Sequence, residues 1–101
     1  MPLDGTTTPT TEIILGAIER LERYGWCQGH TMNGDERCVY GAIKNAVWHQ
    51  FFGQFLDEGL VRATMRRVER ANGIPDEGIA FWNDEPGRTK EGVIEALYRA
   101  L

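Results

Sequence analysis

The sequence predicts an all-α protein, folded as a compact four-helix single domain. A chain of 101 residues is the size of one domain and has no room for a second core. Its hydrophobic content of 42% and charged content of 26% are typical of a folded protein. Four segments carry apolar residues at helical spacing. We therefore expect a disordered N-terminal leader at residues 1–10 and a helical domain at residues 11–101, with a long irregular connection before the last helix.

The first predicted helix covers residues 11–24. The leader before it holds two prolines, one glycine and four threonines, and has too little apolar surface to order itself. Thr10 or Thr11 is a suitable N-cap, and Gly25 is a suitable residue to end the helix. The inward face consists of apolar residues three or four positions apart: Ile14, Ala17, Ile18 and Leu21.

The second predicted helix covers residues 36–52, capped by Asp35 after a loop at residues 26–34 that turns at Asn33 and Gly34. Two adjacent apolar lines predict that most of this helix is buried: Cys38, Ala42 and Ala46, and Val39, Ile43 and Val47. An aromatic cluster around Gly53 is expected to extend the core: Trp48, Phe51, Phe52 and Phe55. Gly16 and Gly41 predict that the first two helices cross with their backbones close together.

Two further helices are predicted, at residues 57–71 and 89–101. Asp57 and Thr89 precede them as caps, and Asn72 with Gly73 ends the first of the two. The inward residues share helical spacing: Leu60, Val61, Thr64, Met65 and Val68, then Val93, Ile94, Leu97, Tyr98 and Leu101. Between them, residues 74–88 contain Pro75 and Pro86 and should be irregular. The pattern leaves open whether residues 79–82 are extended or form a helical turn.

Charge and composition exclude several protein classes. Eleven Lys and Arg stand against fifteen Asp and Glu, a net charge of -4, so nonspecific nucleic-acid binding is not expected. No apolar run approaches the roughly 20 residues of a membrane helix, and residues 1–11 lack a signal pattern. We expect a cytoplasmic protein that does not enter a membrane. Two cysteines are too few for a disulfide framework, so both are expected as free thiols.

Cys27, His30 and Cys38 are the candidates for thiol or metal chemistry. Cys38 falls in the first turn of a predicted helix, where backbone N–H groups favour a thiolate, and His30 is an available base. The same three residues, with Asp35 or Glu36, are the alternative zinc ligands, although their spacing matches no standard finger. Small free cysteines are more often core residues. We therefore expect no catalytic group, no bound metal and no cofactor.

A basic edge on the third helix is the candidate binding site. Arginines recur there at four-residue steps, near exposed aromatic residues, and the candidate residues are Arg62, Arg66, Arg67, Arg70, Trp48 and Phe52. Such an edge on an acidic protein is expected to meet an acidic protein partner. The alternative is a solvated face whose arginines pair with Asp57, Glu58 and Glu69. Asp84 is a further candidate catalytic residue, and that role would require His30 to lie near it.

Three motifs carry a resemblance to a known family: Gly25-Trp26-Cys27-Gln28-Gly29, Cys38 with Gly41-Ala42-Ile43, and Trp82-Asn83-Asp84 with Gly87-Arg88-Thr89 to Val93. Together they resemble a domain-of-unknown-function family of small actinobacterial and actinobacteriophage proteins, from Ile13 to the last residue. Members often have a longer insert where this chain has only residues 30–37. The resemblance implies a bacterial or phage cytoplasmic protein and implies no activity.

These observations favour a noncatalytic protein-binding or regulatory module, a phage or mobile-element accessory protein that acts on a host protein. The alternative is a small thiol-dependent enzyme that uses Cys38 or Cys27 with His30. Neither the partner nor the oligomeric state follows from the residues.

Overall fold

The structure is a computed structural model that describes residues 8–50 and 52–101. The described residues form five helices and one small sheet: α1 (Pro9–Tyr24), β1 (Met32–Asn33), β2 (Glu36–Arg37), α2 (Val39–Gln50), α3 (Glu58–Ala71), α4 (Ile79–Asp84) and α5 (Lys90–Arg99). The predicted helical class is therefore confirmed in outline. The prediction of a four-helix, all-α domain is wrong, because a hairpin and a short extra helix are present. Most of the predicted leader lies outside the described residues.

Helix α1 begins at Pro9, two residues before the predicted start. The hydroxyl of Thr8 accepts a hydrogen bond from the backbone N–H of Thr11 at 3.2 Å and caps the helix. Proline is favoured in the first turn because its missing N–H would have had no partner there. The helix ends as predicted at Gly25, whose φ of +96° lies in the region that favours glycine.

The predicted loop and the predicted start of the second helix are both replaced by a hairpin. Met32 pairs with Arg37, and Asn33 pairs with Glu36 across a turn at Gly34. The backbone of Arg37 also pairs with the segment after α1, since its N–H donates to the carbonyl of Gly25 at 3.2 Å. Because strand pairing uses the backbone of residues 36 and 37, α2 begins only at Val39.

The core is aliphatic, and the aromatic cluster expected within it is on the surface. Trp48 is 41% exposed, Phe52 91% and Phe55 53%, while Phe51 lies outside the described residues. The predicted end of the helix at Phe52 is also wrong, since α2 ends at Gln50. Helix α1 contributes the central part of the core and contacts α2, α3 and α5. The largest buried apolar side chains are Ile13, Ile14, Leu21, Ile43, Leu97, Val39, Val47, Val68 and Val93.

Helix α3 and the last helix, α5, follow their predicted caps. Asp57 Oδ1 accepts from Leu60 N–H at 3.0 Å, and Thr89 Oγ1 accepts from Gly92 N–H at 3.0 Å. Residues 79–82, left open by the sequence pattern, are helical and belong to α4. Tyr98 on α5 and Leu101 after it are exposed rather than inward-facing, and Ala96 on α5 and Ala100 after it are buried instead.

Gly16 and Gly41 both mark close approaches, but to different elements. A Cβ at Gly16 would lie 3.2 Å from Ala46 Cβ, so α1 and α2 do cross closely there. A Cβ at Gly41 would lie 2.3 Å from the carbonyl oxygen of Thr31, in the loop before β1. The prediction that Gly41 takes part in the helix crossing is therefore wrong. None of the described helices combines the length and the apolar character needed to span a membrane.

Gly41→Ala is expected to destabilise the fold by about 1–3 kcal/mol, because the added methyl group overlaps a backbone carbonyl that must shift. Chemical denaturation measures the change. The matched control is Gly59→Ala, at an exposed position in α3 where the new Cβ approaches only Asp57 Oδ1, at 3.4 Å. That control should stabilise by about 0.5–1 kcal/mol. Equal denaturation midpoints for wild type and Gly41→Ala would contradict the close approach.

Candidate functional site

The side chain of Asn83 joins three segments that are distant in sequence. It is completely buried, at 0% exposure. Its Oδ1 accepts hydrogen bonds from Trp26 Nε1 at 2.7 Å and from the backbone N–H of Val39 at 3.0 Å. Its Nδ2 donates to the carbonyl of Cys27 at 3.2 Å and to Asp84 Oδ1 at 3.0 Å. These four bonds satisfy the hydrogen-bonding capacity of the amide.

We call the contact of Asn83 with Trp26, Cys27 and Val39 the junction, and flanking residues add hydrogen bonds to it. Gln28 Nε2 donates to the carbonyls of Asn83 and Glu85, at 3.0 Å each. The backbone N–H of Gly29 donates to Asp84 Oδ1 at 2.9 Å. Residues 26–29 are thus bound along residues 83–85. Two of the three sequence motifs meet in this contact, and the side chains named here hold the fold together.

Beside the junction lies a cleft of about 150 Å³ that brings several candidate residues together. We call it the thiol cleft, and its lining residues are Gly29, His30, Thr31, Cys38, Tyr40, Ala80 and Asp84. His30, Cys38 and Asp84 therefore share one cavity, although they are separated in sequence. Cys27 is buried close by, and its thiol donates to the carbonyl of His30 at 3.4 Å.

The thiol cleft holds an ionised carboxylate and a neutral thiol. Burial raises the pKa of Cys38, although the N–H groups of Gly41 and Tyr40 oppose that effect by hydrogen bonding to its sulfur. Burial likewise raises the pKa of Cys27. The N–H of Gly29 and the amide of Asn83 lower the pKa of Asp84, and the nearby His30 acts in the same direction. At neutral pH the cleft therefore contains no resting thiolate.

The alternative zinc site is not assembled in the part of the chain that the structure describes. Within residues 8–50 and 52–101, no group of three or more His, Cys, Asp or Glu side chains is arranged to hold a metal ion. Asp35 and Glu36, the alternative fourth ligands, lie in the exposed hairpin.

Three of the four candidate arginines are committed to contacts within the protein. Arg66 pairs with the fully buried Glu69. Arg70 pairs with Asp76 at 2.9 Å. Arg67 donates to the hydroxyls of Thr10 and Thr11 at 2.8 and 2.7 Å and to the carbonyl of Leu101 at 2.8 Å, linking α1 to residue 101.

Arg62 is the exception on this edge. It is exposed and makes no ion pair or hydrogen bond with the described residues. The expected pairing of the arginines with Asp57 and Glu58 is not observed among those residues, whereas the expected pairing with Glu69 is.

The aromatic candidates Trp48 and Phe52 lie in the last turn of α2 and in the turn that follows it. We define the aromatic surface as Met32, Trp48, Phe52, Phe55 and Leu56. Trp48 packs against the turn at Gly53, where a Cβ would lie 3.2 Å from its Nε1. Trp48, Met32 and Leu56 also line a hollow of about 250 Å³. Trp48 lines a different hollow from Arg62 and Arg66.

The turn after α2 holds Phe52 in an unfavourable backbone conformation. Gly53 N–H donates to the carbonyl of Trp48, and Phe52 N–H donates to that of His49, each at 3.0 Å. These are the two bonds of a Schellman motif, whose left-handed position usually takes glycine. Here Phe52 occupies it, with a φ of +56°. The corresponding residue after α3 is Gly73, with a φ of +68°.

Sequence reasoning missed Asn83, Tyr40 and Lys44. In the sequence Asn83 is prominent only as part of the Trp82-Asn83-Asp84 motif, and no local pattern shows that an asparagine will be buried. The spacing of Tyr40 and Lys44 could have placed them on the same face as Trp48, since they precede it by eight and four residues on one helix.

Residues 5–101 match a family described as a family of unknown function, DUF6197. The comparisons found no matching curated protein and no matching solved structure. The described contacts are therefore the basis for any functional assignment.

Asn83→Ala is expected to destabilise the protein by about 3 kcal/mol or more, because it leaves Trp26 Nε1, Val39 N–H and the Cys27 carbonyl without this partner. Chemical denaturation measures the loss. Asn45→Ala is the matched control, since the half-buried Asn45 accepts one bond, from Arg20 Nε at 3.0 Å. Its expected cost is about 1 kcal/mol. Equal losses of unfolding free energy in Asn83→Ala and Asn45→Ala would show that the bonds of Asn83 together stabilise the fold no more than a single hydrogen bond does.

Proposed function

The chain belongs to this family of unknown function, and we propose that it is a noncatalytic protein-binding module that docks a partner on the aromatic surface. The observation that carries the proposal is Phe52. A left-handed conformation costs a residue with a side chain about 1 kcal/mol or more. Phe52 regains little of this by burial, because 91% of its side chain is exposed. Folding stability therefore gives no reason for a phenyl ring at this position.

The surroundings of Phe52 support the same proposal. Trp48, Met32 and Phe55 are all large and exposed. Trp48 and Met32 line one hollow together with Leu56, the residue that follows Phe55. Clusters of this kind are typical of protein interfaces, where aromatic residues dominate the binding energy. Helix α2 and the hairpin line the adjoining hollow, which can accept an apolar side chain.

The biological setting is part of the proposal and rests on the resemblance of the three motifs. We place the protein in the bacterial cytoplasm as a phage or mobile-element accessory protein of actinobacteria. In that role it would regulate a host protein by binding it. Nucleic acid is not the proposed partner, since most cations of the arginine edge are already used within the fold.

Phe52→Gly is expected to lower capture of the partner from a lysate of the source organism by about tenfold, as loss of a central aromatic contact does. Glycine suits the left-handed turn, so thermal stability should be unchanged or slightly higher. Phe81→Ser is the matched control, because Phe81 is 82% exposed but lies on α4. Affinity capture with quantitative mass spectrometry compares the three proteins. A protein captured equally by wild type and Phe52→Gly would exclude the aromatic surface.

A thiol-dependent enzyme is the second candidate, and one observation favours it. His30, Cys38 and Asp84, a possible base, nucleophile and orienting carboxylate, line the same cleft. The raised pKa of Cys38 argues against it, because a protonated, buried thiol is a poor nucleophile.

Iodoacetamide labelling separates the two candidates. With Cys27→Ser as background, native Cys38 should react at pH 8 at least tenfold more slowly than in the urea-unfolded chain, since burial raises its pKa. The difference should narrow as the pH rises through the native pKa, because more thiolate forms. Faster reaction in the native protein, slowed by His30→Ala, would instead favour the enzyme.

A further inference from the structure

A stripe of three side chains connects the aromatic surface to Arg62. Tyr40, Lys44 and Trp48 follow one another at four-residue steps, so they lie along one side of α2. Lys44 Nζ is 5.5 Å from the centroid of the Tyr40 ring. Over the eight residues from Tyr40 to Trp48 the helix rises about 12 Å. We call this row the α2 stripe.

Each end of the α2 stripe borders a hollow with an apolar lining. At Trp48 is the hollow of about 250 Å³, which Lys44 also lines and which extends along α2 to Gly41. At the Tyr40 end is a second hollow of about 400 Å³, which we call the Arg62 hollow. Its apolar lining residues are Tyr40, Met65, Ile79 and Ala80, and its charged lining residues are Arg62, Arg66, Glu69 and Glu77. Tyr40 and Trp48, which line one hollow each, are about 12 Å apart along the axis of the helix.

The stripe is positively charged on an acidic protein. Lys44 and Arg62 form no ion pair with the described residues, whereas Arg66 pairs with both Glu69 and Glu77. No carboxylate lines the hollow at the Trp48 end. The chain carries a net charge of -4, so the unpaired Lys44 at the first hollow and the unpaired Arg62 at the second are a local exception. Their complement is a negative charge between two apolar groups.

We propose that the partner segment is an acidic amphipathic helix lying along the α2 stripe. Its apolar residues, two helical turns apart, enter the two hollows, and its Asp or Glu residues between them pair with Lys44 and Arg62. Helices of this kind commonly bind hydrophobic grooves through anchors at such spacing. This inference rests on the proposed function and adds the chemistry of the partner.

The test uses three synthetic, fluorescently labelled helical peptides of about 16 residues, a length at which an isolated helix begins to form. All carry two leucines two turns apart, and the positions between them hold glutamate, glutamine or lysine. Fluorescence anisotropy measures their binding to the full chain. The glutamate peptide should bind about tenfold more tightly than the glutamine peptide, and this preference should shrink as salt is added.

Variants assign the binding to the stripe. The double variant Lys44→Glu, Arg62→Glu should bind the glutamate peptide at least tenfold more weakly and should bind the lysine peptide more tightly than the wild type does. Its circular-dichroism spectrum should be unchanged. Lys90→Glu, a charge reversal on α5, is the matched control and should have no effect. Phe52→Gly should weaken the glutamate and glutamine peptides alike, since it removes an apolar contact.

The outcomes separate the two proposals. Equal binding of the glutamate and glutamine peptides, both weakened by Phe52→Gly, would overturn the acidic partner and leave the aromatic surface in place. Glutamate-peptide binding that survives the double charge reversal would also overturn the inference. Binding that is lost in the double charge reversal but unchanged by Phe52→Gly would support docking on the α2 stripe and contradict the proposed function. If no peptide binds at millimolar concentration, the inference is wrong, and the lysate experiment still tests the aromatic surface.

Discussion

The fold depends most on one buried amide, that of Asn83. A buried polar group without a partner costs about 1–3 kcal/mol, so an amide in the core is stable only where its surroundings match it. Here Trp26, Cys27 and Val39 supply three of its four bonds, from the loop after α1 and the start of α2. The same bond to Val39 satisfies an N–H in the first turn of α2. The junction thereby holds the first turn of α2 against α4.

Helix α4 is held from its other end by a second buried group. Glu69 Oε2 accepts a hydrogen bond from Ile79 N–H at 3.1 Å, and its other oxygen pairs with Arg66. A buried carboxylate needs both a cation and hydrogen bonds to offset its desolvation. Arg66 is thus required for the position of α4 and is less available to a partner. With Arg67 and Arg70 also paired, Arg62 is the one arginine of the basic edge that has no partner among the described residues.

The two candidate regions differ in how they relate to stability. In the thiol cleft, Asp84 belongs to the structural network around Asn83, and the Cys38 thiol is buried and neutral. At the aromatic surface, Phe52 occupies a left-handed position that Gly73 fills after α3. Folding stability accounts for the arrangement of the thiol cleft. The arrangement at the aromatic surface adds backbone strain without burial, which is the pattern expected where a residue is retained for binding.

Local sequence determined the helices and several of their ends. Asp57 and Thr89 cap helices where predicted, and the apolar period correctly placed Val61, Thr64, Met65 and Val68 in the core. These features depend on neighbours within about four residues, which a sequence pattern contains. Only the tertiary structure decided what depends on distant segments. The hairpin at residues 32–37 draws on Gly25 and Trp26, and the arginines find partners as far apart as Thr11 and Asp76. The junction followed the same rule, since the burial of Asn83 arises from its contacts with Trp26, Cys27 and Val39, which no local spacing encodes.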